Sequence, residues 1–108
     1  ISSLDLDNWI ILYILFEINL IKELGFDTNL TTFKDSINDN SNFKNIIIDG
    51  YNYDVPSFLI SQKIPNQLTN QLIRKSLIFT RSILLNKFFI PNNLIFPKSR
   101  IIFENYFN

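Results

Sequence analysis

The chain of 108 residues contains no cysteine and no histidine. The first absence excludes a disulfide framework, a thiolate zinc site and a cysteine nucleophile. The second removes the commonest general base and metal ligand, and with it every Ser-His-Asp arrangement. Methionine and alanine are missing too, and the only glycines are Gly25 and Gly50, so no glycine-rich loop can cradle a phosphate. Long apolar runs are also absent: the longest, Trp9 to Phe16, has eight residues, against about 20 for a membrane-spanning helix. Asp5 and Asp7, not basic residues, precede that run, which is unlike a secretory leader. The expectation is a cytoplasmic protein with no membrane segment, no metal, no cofactor and no catalytic chemistry. A chain that opens Ile-Ser-Ser reads as a fragment of a longer protein.

What is present is apolar matter. Hydrophobic residues are 46% of the chain and aromatics 15%, enough for one core in one domain spanning 1–108. Isoleucine (19) and asparagine (15) dominate, the mark of an AT-rich gene, so asparagine enrichment is not read as function.

The periodicity predicts a mainly α fold: a small helical bundle with a short β-hairpin insertion. The first long helix is expected at about 5–24, capped by Asp5 or Asp7 and closed by Gly25, where a left-handed residue is wanted. Its apolar residues fall nearly all round, which predicts a place in the middle of the bundle with Glu17, Asn19, Lys22 and Glu23 reaching water. A polar insertion at about 27–55 follows. Within it, Ile46-Ile47-Ile48, Asp49-Gly50 and Tyr51-Asn52-Tyr53 read as a hairpin with a type I′ turn. Ser57 to Ile60 form one turn, a second long helix runs over about 66–89, and a last helix over about 97–107 starts at Pro97.

The acid pairs Asp5/Asp7 and Asp35/Asp39 lie at a helix start and in a polar loop, where nothing desolvates a carboxylate for acid–base work. Asn38 to Asn42 alternates oxygen-bearing side chains. Phe43, however, stands where a calcium loop needs its glycine, and the closing acid would be Asp49 rather than a glutamate.

Charge is the strongest signal. Ten bases and ten acids cancel, but residues 1–54 hold nine acids and three bases, and residues 55–108 hold seven bases and one acid. Four bases, Arg74, Lys75, Arg81 and Lys87, lie on the second long helix and form the candidate anion-binding stripe, with Leu77, Ile78, Leu85 and Phe88 as a candidate hydrophobic anchor pocket. Such a stripe suits an acidic peptide with an apolar anchor or a phosphate backbone. The alternative is a solvated face whose charges pair with the acidic half of the chain.

Three segments in order carry a resemblance. Phe16-Glu17-Ile18-Asn19-Leu20-Ile21-Lys22-Glu23-Leu24-Gly25-Phe26-Asp27-Thr28-Asn29-Leu30, then Val55-Pro56-Ser57-Phe58-Leu59, then Pro97-Lys98-Ser99-Arg100-Ile101-Ile102 resemble the C-terminal helical domain of RecO, a recombination mediator of bacterial DNA repair. The sequence departs from that family in lacking the zinc-site cysteines and the N-terminal OB-fold domain. The resemblance implies a non-enzymatic domain acting in DNA damage repair and recombination. Its implied partners are the acidic, Phe-terminated tail of single-strand-binding protein, RecR, and DNA, the last mainly through the missing N-terminal domain. Three rivals stand beside it: direct nucleic-acid binding by the stripe, a helical lid of an enzyme whose catalytic domain is missing, and an oligomerisation module with an exposed apolar face on the first helix.

Overall fold

In the computed structural model the described residues are 3–26, 28–30, 32–33, 42–61 and 68–107, with backbone alone for 3–8. The elements are α1 (Ser3–Glu23), β1 (Phe43–Ile48), β2 (Tyr51–Pro56), α2 (Ser57–Ser61), α3 (Asn70–Leu84), a π-helical turn at Leu85–Phe89, and α4 (Lys98–Asn105). This is the expected mainly α fold with one antiparallel hairpin. The Asn38–Ser41 loop and the proposed helix start at Asn66 lie outside the described residues.

Local chemistry explains the ends of these elements. Helix α1 begins at Ser3, so Asp5 and Asp7 stand inside its first turns rather than before them. Its C-terminus is closed by Gly25 at φ +94. There the Phe26 N–H donates to the Ile21 carbonyl at 3.0 Å and the Gly25 N–H to that of Lys22 at 2.9 Å, the Schellman pairing that satisfies two orphan carbonyls. The hairpin pairs Ile46 with Tyr53 and Ile48 with Tyr51. Asp49 and Gly50 turn it with φ +51 and +84, the two positive values a type I′ turn requires. Helix α3 starts at Asn70 with Thr69 as its cap: the Thr69 hydroxyl accepts from the Leu72 N–H at 3.1 Å. Pro97 sits just before α4, not as its first residue.

The central helix is α3. It packs on α1, on β2 and on α4, and Leu72, Ile73, Ser76, Leu77, Phe79, Thr80, Ile83 and Leu84 are all buried along it. Two of these are polar, and Ser76 is satisfied within the helix by donating to the Leu72 carbonyl at 2.8 Å. The reading of α1 as the middle of the bundle is corrected. Ile10, Ile14 and Ile21 face the core, but Trp9, Leu12, Leu15, Phe16 and Leu20 are exposed. Glu17, expected in water, is 4% exposed. Periodicity had nothing to choose between sides on a helix apolar all round; the buried partners of Glu17 chose.

Candidate functional site

Glu17 faces inward because its carboxylate is fully engaged. Arg100 of α4 donates to it twice, Nε to Oε2 at 2.6 Å and Nη2 to Oε1 at 2.7 Å. The Thr80 hydroxyl of α3 donates to Oε1 at 2.6 Å and the Tyr13 hydroxyl to Oε2 at 2.9 Å. Arg100 Nη2 also reaches the Leu77 carbonyl at 3.1 Å. Two-point Arg–carboxylate pairing is among the strongest polar contacts available to a fold, and here it ties α1, α3 and α4 together.

A second acid joins the group. Glu104 Oε1 lies 3.1 Å from Arg81 Nε and 3.5 Å from Arg100 Nη1. These contacts are close enough to be ion pairs but too poorly aligned to be hydrogen bonds, so all three atoms lack a hydrogen-bond partner among the described residues. Two glutamates against two arginines leave the group neutral. Burial works against the Arg100 charge, but hydrogen bonding and attraction from Glu17 outweigh it and hold the guanidinium above its usual value. For Tyr13, burial first and then the neighbouring Glu17 charge push the phenol above its usual 10.0.

This neutral group borders a cleft walled mainly by aromatic side chains. That cleft, about 490 Å³, is lined by Phe16, Leu20, Phe88, Phe89, Phe96 and Phe103 among others, with Glu17 and Arg100 beside them. The π-helical turn contributes Phe88 and Phe89 to it. Its i→i+5 bond, from the Ile90 N–H to the Leu85 carbonyl at 2.9 Å, takes one extra residue into the turn.

A smaller cleft, about 290 Å³, lies at the start of α3 and is lined by Asn70, Gln71, Arg74, Lys75, Ile78 and Phe107. Arg74 is exposed and makes no ion pair with any described residue. The first turn of α3 carries no acid to offset the positive end of its dipole. An anion entering here would meet a guanidinium with no ion-pair partner among the described residues, one ammonium and a helix N-terminus, with Ile78 and the Phe107 ring beside them.

The structure thus divides the residues the sequence grouped together. Arg74, Lys75 and Ile78 share the smaller cleft. Lys75 also contacts Asp54 at 3.4 Å across the surface. Arg81 is turned toward Glu104, and Lys87 pairs with Asp49 at the hairpin turn. Leu77 is wholly buried and lines neither cleft, Leu85 packs against the core, and Phe88 belongs to the larger cleft. Lys75 with Asp54, Lys87 with Asp49 and Arg100 with Glu17 each join the basic half of the sequence to the acidic half.

Sequence reasoning missed Phe107 as a cleft residue and the whole Glu17–Thr80–Arg100 group. The available signal was a lone glutamate in an otherwise apolar stretch of α1, which needs a buried cation if it turns inward. Among the described residues no three acids, histidines or cysteines converge to hold a metal, and no helix is long and apolar enough to cross a membrane. No family model, no curated protein and no solved structure matches the chain.

Proposed function

We propose that this chain is a non-enzymatic mediator domain of DNA repair and recombination, of the RecO kind, whose smaller cleft receives the acidic, Phe-terminated tail of single-strand-binding protein. The observation that carries the reading is Arg74, without an ion-pair partner among the described residues, set between Lys75 and the apolar Ile78 and Phe107 in a cleft of about 290 Å³. A peptide ending in an aromatic residue has two features to bind: a ring, and a terminal carboxylate backed by acidic side chains. The cleft offers apolar walls to the first. To the second it offers an arginine fork, whose geometry favours two-point carboxylate recognition. The segments that carry the resemblance also fall at structural joints. Gly25 ends α1, Pro56 and Ser57 form the junction of β2 with α2, and Pro97 precedes α4. RecR and DNA belong to the same proposal as further partners, and a cytoplasmic setting goes with it.

The test is fluorescence anisotropy with a labelled acidic peptide ending in phenylalanine, the same peptide ending in alanine, and a single-stranded oligonucleotide. Tighter binding of the Phe-ended peptide than of the Ala-ended one is expected. Equal binding of the two peptides, together with oligonucleotide binding that falls steeply with salt, would instead mark a phosphate-backbone site.

A further inference from the structure

Helix α1 turns to water a face whose spacing is that of a helix-pairing seam. Trp9, Leu12, Phe16 and Asn19 succeed one another at intervals of three, four and three, the a-d-a-d order in which two helices interlock. Leu15 and Leu20 flank them at the neighbouring g and e positions. All six are exposed, Leu12 at 66% and Phe16 at 59%. The opposite positions hold Ile10, Ile14, Glu17 and Ile21, all buried. The helix is therefore divided lengthwise, one side committed to this fold and the other open. Between Trp9 and Ile21 the only charged residue is Glu17, which is buried, so the open side carries no charge with which to select a charged partner.

The open face continues onto α4. The Phe103 ring stands 6.0 Å from that of Trp9 and 5.2 Å from that of Tyr13, and Ile102 and Tyr106 of the same segment are exposed. With about 150–250 Å² for a fully exposed aromatic side chain, the five apolar residues of α1 leave on the order of 500 Å² in water. That is at the upper end of what a monomer ordinarily shows. Two such faces together remove about 1,000 Å², the size at which specific interfaces begin, before α4 is counted.

We propose that two copies of this chain pair through α1, antiparallel about a two-fold axis, with Leu12 of each against Phe16 of the other and Trp9 against Asn19. In this register every layer sets a large ring against a smaller side chain, as interdigitated packing requires. The Trp9 indole N–H also gains the Asn19 side-chain carbonyl as an acceptor. A parallel pair would set Trp9 on Trp9 and Phe16 on Phe16. A two-fold pairing is self-complementary, so each contact occurs twice and closes the assembly at a dimer.

The experiment is sedimentation equilibrium of the whole chain from low micromolar to submillimolar concentration, with Leu12→Lys and Phe16→Lys as variants and circular dichroism as the check on folding. Both positions are exposed, so helix content is expected to stay while dimerisation weakens by at least about tenfold. Since the chain has no cysteine, register is read by disulfide trapping. Leu12→Cys mixed with Phe16→Cys should form the mixed dimer in preference to either homodimer. A chain that stays monomeric throughout the range, a dimer indifferent to both lysine variants, or Phe16→Cys trapping chiefly with itself would each overturn the proposal.

Discussion

Arg74 and Arg100 are the same side chain put to opposite uses. Arg100 is buried, and its Nε and Nη2 are both taken by the Glu17 carboxylate. Arg74 is exposed, with no acid among the described residues beside it. The clefts differ accordingly. The larger one has arginine in its wall yet little charge to offer, because two acids already answer the two cations of the buried group. The smaller one has less space but a guanidinium that no acid among the described residues compensates. Cleft size alone would direct attention to the wrong end of the molecule for an acidic ligand; charge balance directs it to the start of α3.

The contrast can be broken most severely at Arg100. Arg100→Ala strands the Glu17 carboxylate in the interior, which should cost about 3–5 kcal/mol of unfolding free energy in urea melts. Replacing both partners by leucine should recover most of that loss, since an apolar pair carries no stranded charge. If the double variant were as unstable as the single one, the ion pair would be contributing more than mutual satisfaction.

Next in size is Arg74→Ala. Its unfolding free energy should change by no more than about 0.5 kcal/mol, as for an exposed side chain with no ion pair to any described residue. Affinity for an acidic Phe-ended peptide should fall about tenfold, a change readable by anisotropy.

Smaller again is Asp54→Asn, which frees Lys75 from a half-exposed pair. Peptide binding should tighten, with a gain of no more than about 1 kcal/mol in the same titration, because surface pairs of this kind are worth little.

The smallest effect concerns Tyr13. Its phenol titrates above 10.0 in the folded chain, because it is partly buried and faces the Glu17 charge. A folded value above the unfolded one means that the neutral phenol contributes stability in full below pH 10.0. That contribution is lost as pH rises through the higher folded value. Tyr13→Phe should flatten this alkaline loss in unfolding curves taken across that range.

How much of this was legible in the sequence differs by region. The hairpin was, because Asp49-Gly50 supplies the two left-handed residues its turn needs and few other dipeptides do. The end of α1 was, through Gly25. The choice of central helix was not: α1 is the more apolar of the two, while eight of the 15 residues of α3 are polar or charged, so hydropathy favoured α1 as the helix the others surround. The fate of Glu17 was hidden for a related reason. Its partner lies at Arg100, 83 positions further along the sequence, and long-range ion pairs leave no periodic trace. The four-base stripe was legible as composition but not as a surface. The helical turn aims Arg74 outward and Arg81 toward Glu104, and Lys87 has Asp49 waiting at the hairpin.

The central claim is that Arg74 is held for a partner while Arg100 is held for the fold. It is tested most directly by measuring peptide affinity and unfolding free energy on the same preparation of Arg74→Ala. The expected result is affinity for the acidic Phe-ended peptide reduced about tenfold, with stability unchanged to within about 0.5 kcal/mol. Unchanged affinity, or a loss of binding that merely follows a loss of stability, would contradict it.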